Sequence, residues 1–277
     1  MTTSKLSIVT VYTDLKVLSK YLLASLRKQS LKDYLLILID NTSGRYRNAA
    51  QLLNQIRDKL PGKYVMFIHP DVRLEGSDWL SKCLRILDSL PRLGVAGVAG
   101  RREDIPEVIG NVMHGNPPRP ACGRNISKPV RVQTVDPLLF IVPNHVLRRV
   151  EFDEGVCVDW HLYAEDYCLE VSYRLGLYTY VIPLKVYHLS TGVKPKKRNV
   201  LKPITYLPYP EEFYASLKRM MVKYRGRVRK ICLTCGTYRP TKYPGIALRL
   251  LAWRALLKRC FSAVGGHDSA RGGRARS

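Results

Sequence analysis

The run Tyr64-Val65-Met66-Phe67-Ile68 leads without a break into His69-Pro70-Asp71. Five consecutive apolar residues rich in β-formers, preceded by Pro61-Gly62, predict a strand buried on both faces. Such a strand needs a sheet covered on both sides, which restricts the chain to a layered α/β arrangement. Pro70 has no N–H for a ladder hydrogen bond, so pairing should stop there and leave His69 and Asp71 at the strand's carboxyl end. Ligands bind at that edge in open α/β sheets. A carboxylate there suits a divalent cation held against a phosphate-bearing substrate, although an ordinary Asp-containing turn has the same signature.

The flanking sequence repeats the pattern. Leu6–Tyr12 is rich in β-branched residues, and Asp14 precedes a helical spacing of Leu15, Leu18, Leu22 and Leu26. Residues 35–39 predict a second buried strand that ends in Asp40-Asn41-Thr42. A helix with Ala49, Leu52, Leu53, Ile56 and Leu60 on one side separates it from the Tyr64 strand, and Ser77 is the expected cap of a helix carrying Leu80, Cys83, Leu84 and Leu87. This strand–helix alternation predicts a doubly wound parallel sheet. Beyond it come a short strand at 94–100, a Pro- and Gly-rich stretch at 101–128 and extended structure at 130–142. A helix ending at Gly176 and a strand at 178–189 follow.

Charge divides the chain. Of the formal net charge of +24, residues 194–277 hold 21 Lys/Arg against 3 Asp/Glu. That surplus calls for an anionic partner, whether lipid headgroups, nucleic acid or an acidic substrate. No signal peptide precedes Leu6 and no apolar run approaches the ~20 residues of a membrane span. With seven scattered cysteines, a cytoplasmic protein with mostly reduced thiols is expected.

The loops Tyr12-Thr13-Asp14, Asp40-Asn41-Thr42 and His69-Pro70-Asp71 should converge on one crevice. There Asp40 can accept hydrogen bonds from a base or ribose, Thr10 and Thr13 can add hydroxyl contacts, and Asp71, with or without His69, can hold Mg²⁺ or Mn²⁺. Asp14 reads equally as a helix cap. A second constellation, Trp160-His161-Leu162-Tyr163-Ala164-Glu165-Asp166, places two acids where a helix starts, which the macrodipole favours in any case. Its functional reading is a general base facing a sugar hydroxyl with Trp160 as an apolar platform. His188 ends the last strand as another imidazole able to bind a metal.

Taken in order, these segments resemble the family 2 glycosyltransferases. LSIVTVYTD is similar to the family's first strand and uracil-contacting loop, and LLILIDNTSG to its second strand with the nucleotide-binding Asp. YVMFIHPDVRLEGSDWL resembles its Asp-x-Asp strand. VDPLLFIVPNHVL with FDEG resembles the acceptor-side strand and turn. WHLYAEDYCLEVSYRLG and YVIPLKVYHLSTG resemble the base helix and the closing strand. The resemblance runs from Leu6 to Gly192. It implies an α/β GT-A (nucleotide-diphospho-sugar transferase) fold: a doubly wound, mostly parallel sheet with a C-terminal helical extension. The expected organisation is a catalytic domain at 1–193, with a nucleotide-binding half to about 100 and an acceptor half after it. A basic helical extension at 194–262 and a disordered tail at 263–277 would follow.

The resemblance further implies an inverting glycosyltransferase that uses a nucleoside-diphosphate sugar, a UDP-sugar favoured, with a glycan or lipid-linked acceptor. It assigns Thr10, Tyr12, Thr13, Asp40 and Asn41 to the nucleotide, Asp71, His69 and His188 to Mn²⁺ or Mg²⁺, and Trp160, His161 and Asp153 to the sugar and acceptor. Two departures stand out. His69 replaces the first Asp of Asp-x-Asp, a donor that suits Mn²⁺ better than Mg²⁺. The acidic run appears as Tyr163-Ala164-Glu165-Asp166, in which only the last acid aligns directly, so the resemblance favours Asp166 as base, with Glu165 its rival under a one-residue shift and Asp153 a distant third.

For the basic third, two helices are expected. One begins after Pro210 with Phe213, Leu217, Met220, Met221 and Tyr224 inward. The other spans 244–261 with Ile246, Leu250, Trp253 and Leu257 as its apolar face beside Arg249, Arg254, Lys258 and Arg259. Peripheral attachment to the cytoplasmic face of an anionic membrane and packing on the catalytic domain are the two readings. Cys232-Leu233-Thr234-Cys235 lacks the second pair that a structural zinc site needs. A nucleic-acid-binding protein would explain the basic third but leaves the ordered acidic motifs without a role. A catalytically inert nucleotide-sugar-binding relative would fit the altered Asp-x-Asp.

Overall fold

The computed structural model describes residues 5–190 and 207–265, with side chains as far as Leu257. The start of the basic extension expected from 194, as far as residue 206, the tail beyond Gly265 and the side chains of Lys258 and Arg259 lie outside the described residues. The central sheet has seven strands, ordered Val130–Val132, Tyr178–Val181, Leu93–Gly97, Leu139–Pro143, Tyr64–Ile68, Leu6–Tyr12, Leu35–Asp40. Five run in one direction, and Leu139–Pro143 and Val130–Val132 oppose them. Leu6–Tyr12 sits between its parallel neighbours Leu35–Asp40 and Tyr64–Ile68, which brings all three carboxyl ends to one edge.

Alternate residues of each strand serve opposite faces. Val65 and Phe67 join Val9, Phe140 and Val142 in one core, closed by the helices Ala49–Arg57, Tyr163–Leu175 and Glu211–Lys223. Tyr64, Met66 and Ile68 join Leu6, Ile8 and Ile141 in the other. That second face is closed by the helix Trp79–Ser89 and by Leu15–Leu18 and Ala24–Arg27, two α-helical pieces joined through a π-helical turn at Ser19–Leu23. The double burial expected of Tyr64–Ile68 is therefore realised, with each fully buried apolar side chain contributing about 1.5–3 kcal/mol.

Several expectations need correction. Asp14 does cap its helix, accepting from the N–H groups of Lys16 and Val17. Ser77, however, is not the cap of Trp79–Ser89. Asp78 occupies that position, while the Ser77 carbonyl accepts from the Ser30 N–H at 2.7 Å. Leu35–Asp40 is half exposed rather than buried, because it is the edge strand with one neighbour. The strand expected at 178–189 breaks at Pro183 into Tyr178–Val181 and Val186–His188, and 130–142 divides into Val130–Val132, Thr134–Val135 and Leu139–Pro143 around Asp136-Pro137. Val186–His188 leaves the main sheet to pair with Val72–Leu74 and Val112–His114.

The C-terminal segment packs into the first core. Phe213, Leu217, Met220, Met221 and Tyr224 are buried, as their spacing predicts. A hairpin, Ile231–Leu233 with Gly236–Tyr238, lies against 133–136. The Cys232 N–H donates to Gln133 Oε1 at 2.7 Å, and the Thr134 hydroxyl donates to the Cys232 carbonyl. In the helix Pro244–Gly265, among the described side chains, Leu248, Ala252 and Leu256 are buried, whereas Ile246, Leu250, Trp253 and Leu257 face solvent. That helix is apolar on two faces, and the one that packs on the protein is not the one its periodicity picks out. Among the described residues no helix is long and apolar enough to cross a membrane.

Candidate active site

Strand register assembles the first cluster. His188 is paired with Val72, so its ring lies beside Asp71, and the Leu189 N–H donates to the Asp71 carbonyl. His188 Nε2 is 3.3 Å from Asp71 Oδ2, and the His69 and His188 ring centroids are 5.9 Å apart. Ligand atoms from His69, Asp71 and His188 all lie within 4.8 Å of one another, the only such group of three among the described residues. Burial works against ionisation of Asp71, but the His188 hydrogen bond and the charges of His188 and His69 outweigh it and hold the carboxyl below its usual range. Burial likewise opposes charging of His188, yet Asp71 raises it on balance. His69 is pushed down, chiefly by desolvation and then by the charge of His188. Two imidazoles and one carboxylate form a donor set that fits a first-row divalent cation better than Mg²⁺.

This cluster stands at the junction of two cavities. The smaller, about 240 Å³, is lined by Val9, Val11, Thr13, Ala49, Leu53 and Phe67 together with His69 and Trp160. The larger, about 940 Å³, also includes His69 and Trp160, and takes its remaining polar lining chiefly from Asp71, His188, Asp136, His161 and Glu165. Its apolar wall comes partly from Val108, Val112 and Leu138 and partly from the C-terminal segment through Tyr209, Pro210, Phe213 and Cys235.

Glu165 and Asp166 are adjacent on the first turn of Tyr163–Leu175, yet only Glu165 lines the cavity. Glu165 is 3% exposed, and its Oε2 has no hydrogen-bond partner. Burial raises its carboxyl well above the ordinary value, and the nearby charge of Asp136 adds to the effect. The residue before this helix, Leu162, sits in the left-handed region at φ +63°, a conformation that costs a leucine about 1–2 kcal/mol. Such strain is often stored where side chains have to be aimed.

Asp166 faces the other way. Lys223 Nζ lies 2.9 Å from both of its carboxylate oxygens, and the Tyr224 hydroxyl donates to Oδ1 at 2.9 Å. Lys223 also reaches Asp153 at 2.9 Å and Glu170 at 3.3 Å. Burial pushes the Asp166 carboxyl up to about 6 even though Lys223 and Tyr224 pull it down. Asp153 has a second structural task, accepting from the N–H groups of Gly155 and Val156.

The other expected nucleotide residues are spread along the edge of the sheet. Asp40 is exposed, and the Thr42 N–H and hydroxyl hold its carboxyl below the usual range with help from Tyr12. Thr13 opens onto the smaller cavity, while Thr10 is buried within its strand. Both ends of the Asn41 amide are bonded to the Tyr46 backbone at 2.8–2.9 Å, so this side chain shapes the loop. His161 is held by Asp159, with Nδ1 to Oδ2 at 2.5 Å, and its ring packs edge-on to Phe213. Asp136, Asp159 and Thr234 were not foreseen. Asp136 sits before a proline after a short strand, the position His69 holds before Pro70, and accepts from Thr234 Oγ1 at 2.5 Å.

The profile of the Glycosyltransferase like family matches residues 35–189. No curated relative matches by sequence. Among solved structures, the mannosyltransferase PcManGT from Pyrobaculum calidifontis, in complex with GDP-Man and Mn²⁺, superposes with a TM-score of 0.53 at 12% identity, covering 98% of this chain and 76% of that one. GalNAc-T7 with UDP, GalNAc and Mn²⁺ gives a TM-score of 0.53 at 13% identity over 80% of this chain, which spans only half of GalNAc-T7's length.

Proposed function

Because the chain belongs to the glycosyltransferase-like family and has the GT-A fold, we propose that it is an inverting glycosyltransferase that moves a sugar from a nucleoside-diphosphate donor to an acceptor hydroxyl. The observation that carries this reading is that Glu165 and the His69–Asp71–His188 cluster face one cavity from opposite elements of the fold. The nucleoside belongs in the smaller cavity beside Thr13, towards Tyr12 and Asp40, with UDP the favoured carrier. The diphosphate belongs at the junction, and the sugar and acceptor in the larger space.

Glu165 is the general base in this scheme. Its unpartnered Oε2 takes the proton of the acceptor hydroxyl, whose oxygen forms a bond to the anomeric carbon. The bond from that carbon to the diphosphate oxygen breaks on the opposite face, and the nucleoside diphosphate leaves with the electron pair. A divalent cation held by His69, Asp71 and His188, with Mn²⁺ the better fit, would neutralise charge on the leaving diphosphate. Trp160 offers a platform to the sugar, and His161, kept in one orientation by Asp159, offers a hydrogen bond to a hydroxyl. The apolar wall of the larger cavity favours an acceptor with an apolar portion, as in a lipid-linked glycan.

The test is a thermal-shift titration with UDP and GDP, each with and without Mn²⁺, followed by transfer assays with the sugars of whichever nucleotide binds. Metal-dependent stabilisation by one nucleotide is expected. Absence of any shift with either nucleotide, with metal present, would remove the donor site from this reading.

A further inference from the structure

The helix Pro244–Gly265 uses one apolar face to hold the protein together and leaves a second one open. Leu248, Ala252 and Leu256 are buried, whereas Tyr243, Ile246, Leu250, Trp253 and Leu257 recur at steps of three and four residues and are 48–59% exposed. Isolated exposed apolar residues are ordinary, but a continuous stripe of this length that includes a tryptophan requires an occupant.

Charge decides between the candidates. Arg249 and Arg254 are exposed beside the stripe, and the helix contains no acidic residue from Pro244 to Gly265. In a pairing of two copies through this seam, Arg249 and Arg254 fall on the flanking positions that face their counterparts, in either strand direction, with no acid to compensate. An anionic bilayer surface meets both demands: its acyl boundary takes the apolar side chains and its headgroups take the guanidinium groups. The tryptophan suits that boundary, with an apolar body and one N–H.

We infer that the solvent-facing side of this helix docks the protein on an anionic membrane surface through Ile246, Leu250, Trp253 and Leu257, with Arg249 and Arg254 contacting lipid headgroups. The helix lies on the surface and does not cross it. It packs against Glu211–Lys223, the helix that contributes Phe213 to the larger cavity, so docking would hold that cavity near the bilayer. The inference does not rest on the transferase reading.

Sedimentation of the full chain with phosphatidylcholine vesicles, with and without phosphatidylglycerol, tests it. Binding is expected only to the anionic vesicles, with weakening as salt rises and a blue shift of tryptophan emission that Trp253→Phe removes. Leu250→Ser combined with Trp253→Ser should lower partitioning by more than tenfold at unchanged melting temperature. Arg249→Gln with Arg254→Gln should lower it by roughly 25-fold, about fivefold for each residue. No binding to anionic vesicles would overturn the inference, as would full binding by the Leu250→Ser, Trp253→Ser protein, which would mean adsorption by charge alone. A wild-type dimer in light scattering that the same two substitutions dissolve would assign the face to a second copy and overturn it equally.

Discussion

Substituting the two adjacent acids of the Tyr163–Leu175 helix should separate catalysis from stability. Asp166→Asn removes one charge from a cluster in which Lys223 is 14% exposed and Asp166 only 1%. Breaking a buried pair costs about 3–5 kcal/mol when the remaining charge is left alone. Lys223 keeps Asp153 at 2.9 Å and Glu170 at 3.3 Å, so a loss of about 2–3 kcal/mol is the better expectation. At about 2–4 °C per kcal/mol for a chain of this size, the melting temperature should fall by roughly 4–12 °C. Glu165→Gln removes a buried carboxylate that has an unpartnered oxygen, so stability should hold or rise slightly while transfer falls about 10²–10⁴-fold. Paired thermal denaturation and initial-rate transfer assays read both effects. A stable Asp166→Asn protein that has lost transfer, beside an active Glu165→Gln protein, would show that the base has been assigned to the wrong residue.

The pH–rate profile should carry the mark of Glu165: protonation disables the base, so the rate should rise with pH through an inflection above the ordinary glutamate range and the inflection should vanish in Glu165→Gln. Asp71→Asn and His188→Ala should each abolish the Mn²⁺-dependent part of nucleotide stabilisation in a thermal-shift assay, and an undiminished metal response would place the cation elsewhere. Lys223→Met should destabilise by about 3–5 kcal/mol in urea titrations. Without Lys223 the Asp166 carboxyl, already pushed up to about 6 with that cation beside it, rises further, so the deficit should be small at acid pH, grow as pH passes 6 and level off only above the new, higher value. Removing residues 207–277 should leave an insoluble product, because Phe213, Leu217 and Met220 belong to the same core as Phe67 and Phe140.

The strands of the nucleotide-binding half were legible because each is a short apolar run ended by a proline or a turn. The cluster of His69, Asp71 and His188 was within reach because all three residues lie where pairing stops, although His188 joined the other two only through the family resemblance. The choice between Glu165 and Asp166 could not. Consecutive helical residues point about 100° apart, and the side facing the cavity is settled by Lys223 and Tyr224, 57 and 58 residues from Asp166 along the chain. The phase of Pro244–Gly265 was hidden for a different reason. With leucines on both faces, the 3.6-residue period has two solutions, and tertiary packing selects Leu248, Ala252 and Leu256. Asp136 was in view as part of VDPLLF, but its role depends on Thr234, 98 residues away.

His69 and Trp160 belong to both cavities at once, as a party wall belongs to two houses. Any shift of either ring that tightens one space reshapes the other, so if donor and acceptor divide these spaces as proposed, they cannot be bound as strangers. Whatever factor a seated donor lends to the acceptor's affinity, the acceptor must return to the donor in full. Binding of either ligand alone would therefore leave that coupling, whatever its sign, unmeasured.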